Sequence, residues 1–183
     1  MNIVGLPGGG GEARVVTLAG LMNAAILTVS TSVDAGVRDD LSGAALAELA
    51  AAAGIEITTR GTVADDESAI AEWLREQVAS GANLVLTTGG TGFTPDDVTP
   101  EATKLVLERE APGLAEAMRA ESLKHTPMGM LSRGVAGIAG HTLIVNFPGS
   151  PKAVRELFPV IEPVLAHAVG TLHRDDGNAA AGH

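Results

Sequence analysis

Leu84-Val85-Leu86-Thr87-Thr88-Gly89-Gly90-Thr91-Gly92 changes character halfway along, from an apolar run to a loop of glycine and threonine. Leu84 to Thr87 is apolar enough to be a central strand buried on both faces, as parallel strands in α/β proteins are. The loop has glycine at three of the six positions from Thr87 to Gly92. With no side chain there, an anionic group can approach the backbone N–H groups directly.

Working outward, short β-branched runs alternate with helical patterns of ten or more residues, the signature of an α/β fold with a mainly parallel sheet. Before the glycine loop, strands are expected at Ala24 to Val29 and Ile55 to Val63, with a helix near Ser42 to Ala53 that Gly54 closes. Asp65 and Asp66 open a helix to about Ser80, in which Ile70, Trp73, Leu74, Gln77 and Val78 form an i, i+3, i+4 stripe. After the loop, Thr99 as N-cap and Pro100 in the first turn start a helix expected to reach Glu110, and another covers about Leu114 to Lys124. Val135 to Ile138 and Thr142 to Asn146 read as a hairpin turning at Gly140-His141. A last helix follows Ser150 as N-cap and Pro151, ending near Leu172. These assignments make residues 24–172 one domain, with a Gly-rich, partly flexible extension over 1–23 and a flexible tail over 173–183. Arg14 to Met22 reads either as an extra strand or as a short apolar cap.

Composition narrows the function classes. The 183 residues carry a net charge of −10 and 2% aromatics, so neither a broad basic surface nor a stacking platform for nucleic acid is available. No cysteine is present, which removes disulfides, thiolate metal sites and cysteine nucleophiles. The longest apolar stretch, Val15 to Val29, is interrupted by Thr17, Gly20, Asn23 and Thr28 and falls short of the roughly 18 residues of a membrane span. Met1 to Gly11 has no basic residue ahead of that stretch, so no signal peptide is expected and the cytoplasm is the expected location.

Chemistry concentrates at the ends of strands, where open α/β sheets bind ligands. Pro148-Gly149-Ser150 offers a second set of backbone N–H groups, backed by the dipole of the last helix. Neither glycine loop matches a P-loop or a dinucleotide fingerprint, and the residues alone leave each open as a plain turn or an anion cradle. Asp97 lies five residues past the first loop, and Asp65 sits at the carboxyl end of the second strand. Each is either a helix cap or a ligand for a divalent cation that bridges to phosphate. The five histidines lack metal-binding spacing and there is no G-x-S-x-G elbow. Ser30, Ser32 and Ser42 flank the first strand and could line the same rim, with helix capping the expected role of Ser42.

Four segments carry a family resemblance: Thr87 to Gly92; Thr94-Pro95-Asp96-Asp97-Val98-Thr99-Pro100-Glu101-Ala102-Thr103; Leu131-Ser132-Arg133-Gly134; and Asn146-Phe147-Pro148-Gly149-Ser150-Pro151. Together they resemble the MoaB/Mog family of molybdenum cofactor biosynthesis proteins, which includes the gephyrin G domain, over about Ala24 to Leu172. The resemblance implies a three-layer α/β/α sandwich that assembles into homotrimers. It implies molybdopterin as substrate and ATP as co-substrate. With Mg²⁺, such an enzyme transfers the adenylyl group to the molybdopterin phosphate and releases pyrophosphate. The family's catalytic, metal-holding aspartates fall on Asp65 and Asp97, and its pterin and phosphate loops on Thr88, Gly89, Gly90, Thr91, Gly92, Gly149 and Ser150. A molybdate-insertion protein is the implied partner. Two departures stand out: Ala64 occupies a position that is usually Pro, leaving Asp66 as a one-residue-offset substitute for Asp65, and Asp96 occupies a commonly basic position. The alternative function is a non-catalytic, trimeric MoaB-like scaffold that binds molybdopterin or a protein.

Overall fold

The computed structural model describes residues 22–173. In chain order the elements are β1 (Asn23–Val29), α1 (Thr31–Asp34), α2 (Leu41–Ala52), β2 (Glu56–Val63), α3 (Glu67–Ala79), β3 (Leu84–Thr88), α4 (Thr99–Lys104), β4 (Arg109–Glu110), α5 (Pro112–His125), β5 (Ala136–Ala139), β6 (Thr142–Phe147) and α6 (Pro151–Leu172). The strands form one sheet in the order β2-β1-β3-β6-β5-β4. β2, β1, β3 and β6 run parallel, whereas β5 and β4 complete the sheet antiparallel.

The period-2 alternation of strand side chains builds the layers. Ala24, Ile26, Leu84, Leu86, Val145 and Phe147 point to one face, where they pack with Leu46 of α2, Met118 of α5 and Ile161 of α6. Ala25, Leu27, Val85 and Ile144 point to the other, against Ile70 and Leu74 of α3 and Ala102 of α4. Both faces of the three central strands are therefore covered, which is why their sequences read as continuous apolar runs. This is the α/β/α sandwich expected from the sequence.

Several local assignments differ from the sequence reading. The helix expected from Thr99 to Glu110 stops at Lys104, and Arg109–Glu110 instead extends the sheet by pairing with Ile138 and Gly137. Propensity favours helix over this stretch, but the edge of β5 supplies partners for Glu108 N–H and Ala111 N–H through the carbonyls of Ile138 and Ala136. Thr99 is the first residue of α4 rather than its cap, and its hydroxyl donates 2.9 Å to the Gly89 carbonyl. Pro112 starts α5 instead of preceding it. Asp40, not Ser42, caps α2 by accepting from Gly43 N–H at 2.8 Å. The short helix α1, capped by Ser30, and a 3-10 segment over Pro127–Leu131 carry no apolar periodicity that would have revealed them. The hairpin pairs Ala139 with Thr142 and leaves Gly140 and His141 as its turn. Of the Arg14 to Met22 segment only Met22 is described, and it is buried; the rest, with the two termini, lies outside the described residues.

One buried polar side chain ties the sheet to the segments around the site. Asn146, 1% exposed on β6, donates to the hydroxyls of Thr87 and Thr103 at 3.0 Å each and accepts from Val135 N–H at 3.2 Å. Removing it strands three polar groups in a dry interior. Asn146→Ala is expected to lower unfolding free energy by about 2–4 kcal/mol in urea titrations, and a loss under about 0.5 kcal/mol would contradict this role.

Candidate active site

Because β1, β3 and β6 are parallel neighbours, their carboxyl ends deliver three loops to one rim. Their backbones meet without intervening side chains. A Cβ on Gly89, whose φ is +99°, would lie 2.2 Å from the Val29 carbonyl oxygen, and one on Gly149 would lie 3.2 Å from Gly89 Cα. Gly89 N–H donates to the Phe147 carbonyl at 3.1 Å, and the Thr88 hydroxyl donates to the Pro148 carbonyl at 2.7 Å. The loops are thus fastened to one another by one main-chain and one side-chain-to-main-chain hydrogen bond.

Between them lies a cleft of about 370 Å³ whose lining includes Gly89, Gly90, Gly149, Asp65 and Asp97. Five of the residues expected from sequence converge here. Thr88, Thr91, Gly92 and Ser150 stand behind the lining: Thr88 and Thr91 are buried, Gly92 backs onto the Asp97 carboxylate, and Ser150 caps α6 by accepting from Ala153 N–H. Ser30 and Ser42 reach the cleft, while Ser32 touches Ser30 Oγ at 3.2 Å without lining it.

Asp65 and Asp66 differ in local geometry. Asp66 is the N-cap of α3, with Oδ1 accepting from Ala69 N–H at 2.8 Å, and it does not line the cleft. Asp65 precedes the helix, so its carboxylate is released from capping. Its Oδ2 accepts from the Thr31 N–H and hydroxyl, both at 2.8 Å, which aims it across the rim.

Asp97 is held in a tight turn. Its Oδ2 accepts from Thr94 N–H at 2.8 Å and from the Thr94 hydroxyl at 2.6 Å. Burial pushes its pKa up, but the Thr94 hydroxyl, the Gly92 and Thr94 backbone amides and the Arg133 charge together outweigh it, leaving the carboxyl below its ordinary value. It is therefore an anion throughout the neutral range.

Sequence reasoning missed three participants, Arg38, Asp39 and Arg133. Arg38 and Asp39 line the cleft from the segment between α1 and α2, and Asp96, singled out from the sequence, lines it beside Asp97. Arg133 braces the glycine loop from behind, with Nε donating 2.6 Å to the Gly92 carbonyl. No periodicity marks Arg38 and Asp39, and Arg133 was visible only as a letter in the Leu-Ser-Arg-Gly motif. The lining thus carries four carboxylates (Asp39, Asp65, Asp96, Asp97) against one guanidinium. Among the described residues, no group of three or more His, Cys, Asp or Glu side chains could cage a metal. The two cleft-lining carboxylates Asp65 and Asp97 instead fit Mg²⁺, which would take phosphate and water oxygens as its other ligands.

Comparison with known proteins agrees with this geometry. Residues 25–167 match the family model described as a probable molybdopterin binding domain. The chain belongs to that family. It is 39% identical to the molybdopterin adenylyltransferase of Helicobacter pylori over 79% of this chain and 84% of that protein. It is 42% identical to the molybdenum cofactor synthesis protein cinnamon of Drosophila melanogaster over 82% of this chain, yet spans only 25% of cinnamon's length. The crystal structure of the molybdopterin biosynthesis enzyme MoaB from Thermus thermophilus superposes with a TM-score of 0.78 at 46% identity, covering 82% of this chain and 96% of that one.

The depressed pKa of Asp97 has a linked stability effect. A carboxyl whose pKa is lowered on folding stabilises the native state above its unfolded pKa and loses that contribution as pH falls through the folded value. Thr94→Ala is expected to raise the Asp97 pKa, measured by carboxyl NMR, and to lower stability at pH 7 more than at pH 2. An Asp97 that titrates at or above 3.8 in the native protein would contradict the bonding described.

Proposed function

We propose that this protein is a Mg²⁺-dependent molybdopterin adenylyltransferase that transfers AMP from ATP to the terminal phosphate of molybdopterin. The carrying observation is the convergence of Asp65 and Asp97 with the Gly89-Gly90 and Gly149 backbone around one cleft. The likeness to a molybdopterin adenylyltransferase of similar length supports it. In the reaction a phosphate oxygen of molybdopterin attacks the α-phosphorus of ATP. The bond from that phosphorus to the α–β bridging oxygen breaks, and pyrophosphate leaves. Such a transfer requires in-line positioning and charge stabilisation but no protein nucleophile.

Asp65 and Asp97 are the residues that would hold Mg²⁺, which supplies charge neutralisation on the phosphate oxygens. Asp97 meets that role as a fixed anion, and Asp65 is oriented by Thr31. The backbone amide of Gly90, with the amino-terminal end of α6, would take phosphate oxygens, the Gly89 N–H being spent on the Phe147 carbonyl. Thr88, Thr91, Gly92 and Ser150 shape these loops from behind. A homotrimer working in the cytoplasm and passing its product to a molybdate-insertion protein completes the proposal. It accords with the finding that, among the described residues, no helix is long and apolar enough to cross a membrane.

The scaffold alternative draws on one observation, the presence of Asp96 in the cleft. A unit charge about 8 Å from a phosphate contributes roughly 2 kcal/mol at an effective dielectric near 20 before salt screening, enough to weaken nucleotide binding. The deciding experiment incubates the protein with molybdopterin, ATP and Mg²⁺ and seeks adenylyl-molybdopterin by mass. Product from the native protein is expected, with Asp65→Asn and Asp97→Asn each lowering kcat at least about 100-fold. Molybdopterin binding without product would favour the scaffold. Asp96→Arg is expected to lower the KM for ATP at least about threefold at low ionic strength, with the gain shrinking in 0.5 M salt. Light scattering checks the trimer, and a monomer at micromolar concentration would refute it.

A further inference from the structure

Between Gly92 and Asp97 no side chain is buried; the nearest apolar contact is Val98, half-buried against the core beyond Asp97. Phe93, Thr94, Pro95 and Asp96 are all exposed, and Phe93 keeps 67% of its surface in water. Hydrophobic burial therefore cannot hold this stretch. The Thr94–Asp97 turn orders its interior but does not fix it to the rest of the molecule.

Outside that stretch, Thr99 N–H closes the loop onto the Gly90 carbonyl at 3.0 Å; within it, one side chain ties the two ends. Arg133 Nε donates to the Gly92 carbonyl at 2.6 Å, Nη2 donates to the Asp97 carbonyl, and Nη1 pairs with the Glu101 carboxylate on α4. Its own N–H donates to the Thr91 carbonyl at 2.9 Å. The support is itself anchored, because Arg119 of α5 donates 2.8 Å to the Gly134 carbonyl. Gly92 also packs so closely that a Cβ there would sit 2.9 Å from Asp97 Oδ2. Small movements at the Gly92 end of the loop are thus transmitted directly to the carboxylate.

We propose that Arg133 is a positioning residue: its guanidinium staples the carbonyls at both ends of the Gly92–Asp97 loop and so fixes the Asp97 carboxylate at the cleft. Arg133 does not line the cleft but the recess behind the loop, with Phe93, Thr94 and Glu101, and therefore acts through Asp97. Three nitrogens of one planar group meet three acceptors, two main-chain carbonyls and a carboxylate. Lysine carries the same charge on a single nitrogen without a planar fork and cannot reproduce this arrangement. Glu101 sets the plane of the guanidinium, so Glu101→Gln weakens the staple without removing it. What the staple achieves in turnover rests on the adenylyl-transfer reading; its effect on the loop does not.

Two measurements on the full chain separate those cases. In the free protein, hydrogen exchange at the amides between Gly92 and Asp97 is expected to be at least about tenfold faster in Arg133→Lys than in the native chain, with β1, β3 and β6 unchanged. In AMP transfer, Arg133→Lys is expected to lower kcat about 30- to 100-fold while the KM for ATP moves less than about threefold, the signature of lost alignment rather than lost binding. Guanidinium ion at millimolar concentration is expected to restore part of the activity of Arg133→Ala and to leave the native rate unchanged. Loop exchange and kcat within about twofold of native in Arg133→Lys would overturn the proposal. Faster exchange spread equally over the core strands would overturn it too, by making Arg133 a general stabiliser. If the native protein forms no adenylylated product, the reaction assignment fails while loop exchange still decides the staple.

Discussion

The contact of Gly89 with the Val29 carbonyl on one side and Gly149 on the other sets how closely the ends of β1, β3 and β6 can approach. Any side chain at Gly89 would drive a Cβ into a main-chain oxygen that is fixed in the sheet, and its positive φ disfavours other residues as well. With that approach allowed, Gly89 N–H reaches the Phe147 carbonyl and Thr88 reaches Pro148. Thr99 closes over the loop by donating to the Gly89 carbonyl, which starts α4 and positions the Asp97 turn ahead of it. The cleft is thus a consequence of parallel pairing combined with a bare backbone at the carboxyl ends of the central strands.

The cleft is electrostatically negative. A net charge of −10 and four carboxylates in the lining oppose a free polyphosphate, since only Arg38 offsets them. On the adenylyl-transfer reading, such a cleft would accommodate phosphates whose charge is already partly neutralised by a divalent cation and whose remaining oxygens meet main-chain amides. Asp97 enters this arrangement as an obligate anion because four hydrogen-bonding and charge contributions oppose its burial. On the adenylyl-transfer reading, part of this acidity would be the means of holding the cation.

Sequence made the layer architecture legible because the evidence for it is local: Leu84 to Thr88 and Thr142 to Phe147 are apolar runs bounded by turn residues. Asp65 and Asp97 were legible through their neighbours in motifs and their positions after strands. The identity of the capping residue was not, because Asp65 and Asp66 are chemically alike and only the start of α3 at Glu67 assigns the cap to Asp66. The strand at Arg109–Glu110 was hidden because its partner lies almost thirty residues away. Arg133 was hidden for the same reason, since its acceptors at Gly92 and Asp97 come from the far side of α4 and α5.

The central claim is that the cation is held jointly by Asp65, Asp97 and the phosphates of the nucleotide. Titration of Mn²⁺ in place of Mg²⁺, followed by electron paramagnetic resonance with and without ATP, tests this most directly. The account predicts that tight Mn²⁺ binding requires ATP and that Asp65→Asn and Asp97→Asn each weaken the ternary complex at least about tenfold. Tight binding of Mn²⁺ to the protein alone, or a ternary complex unchanged by both substitutions, would contradict it.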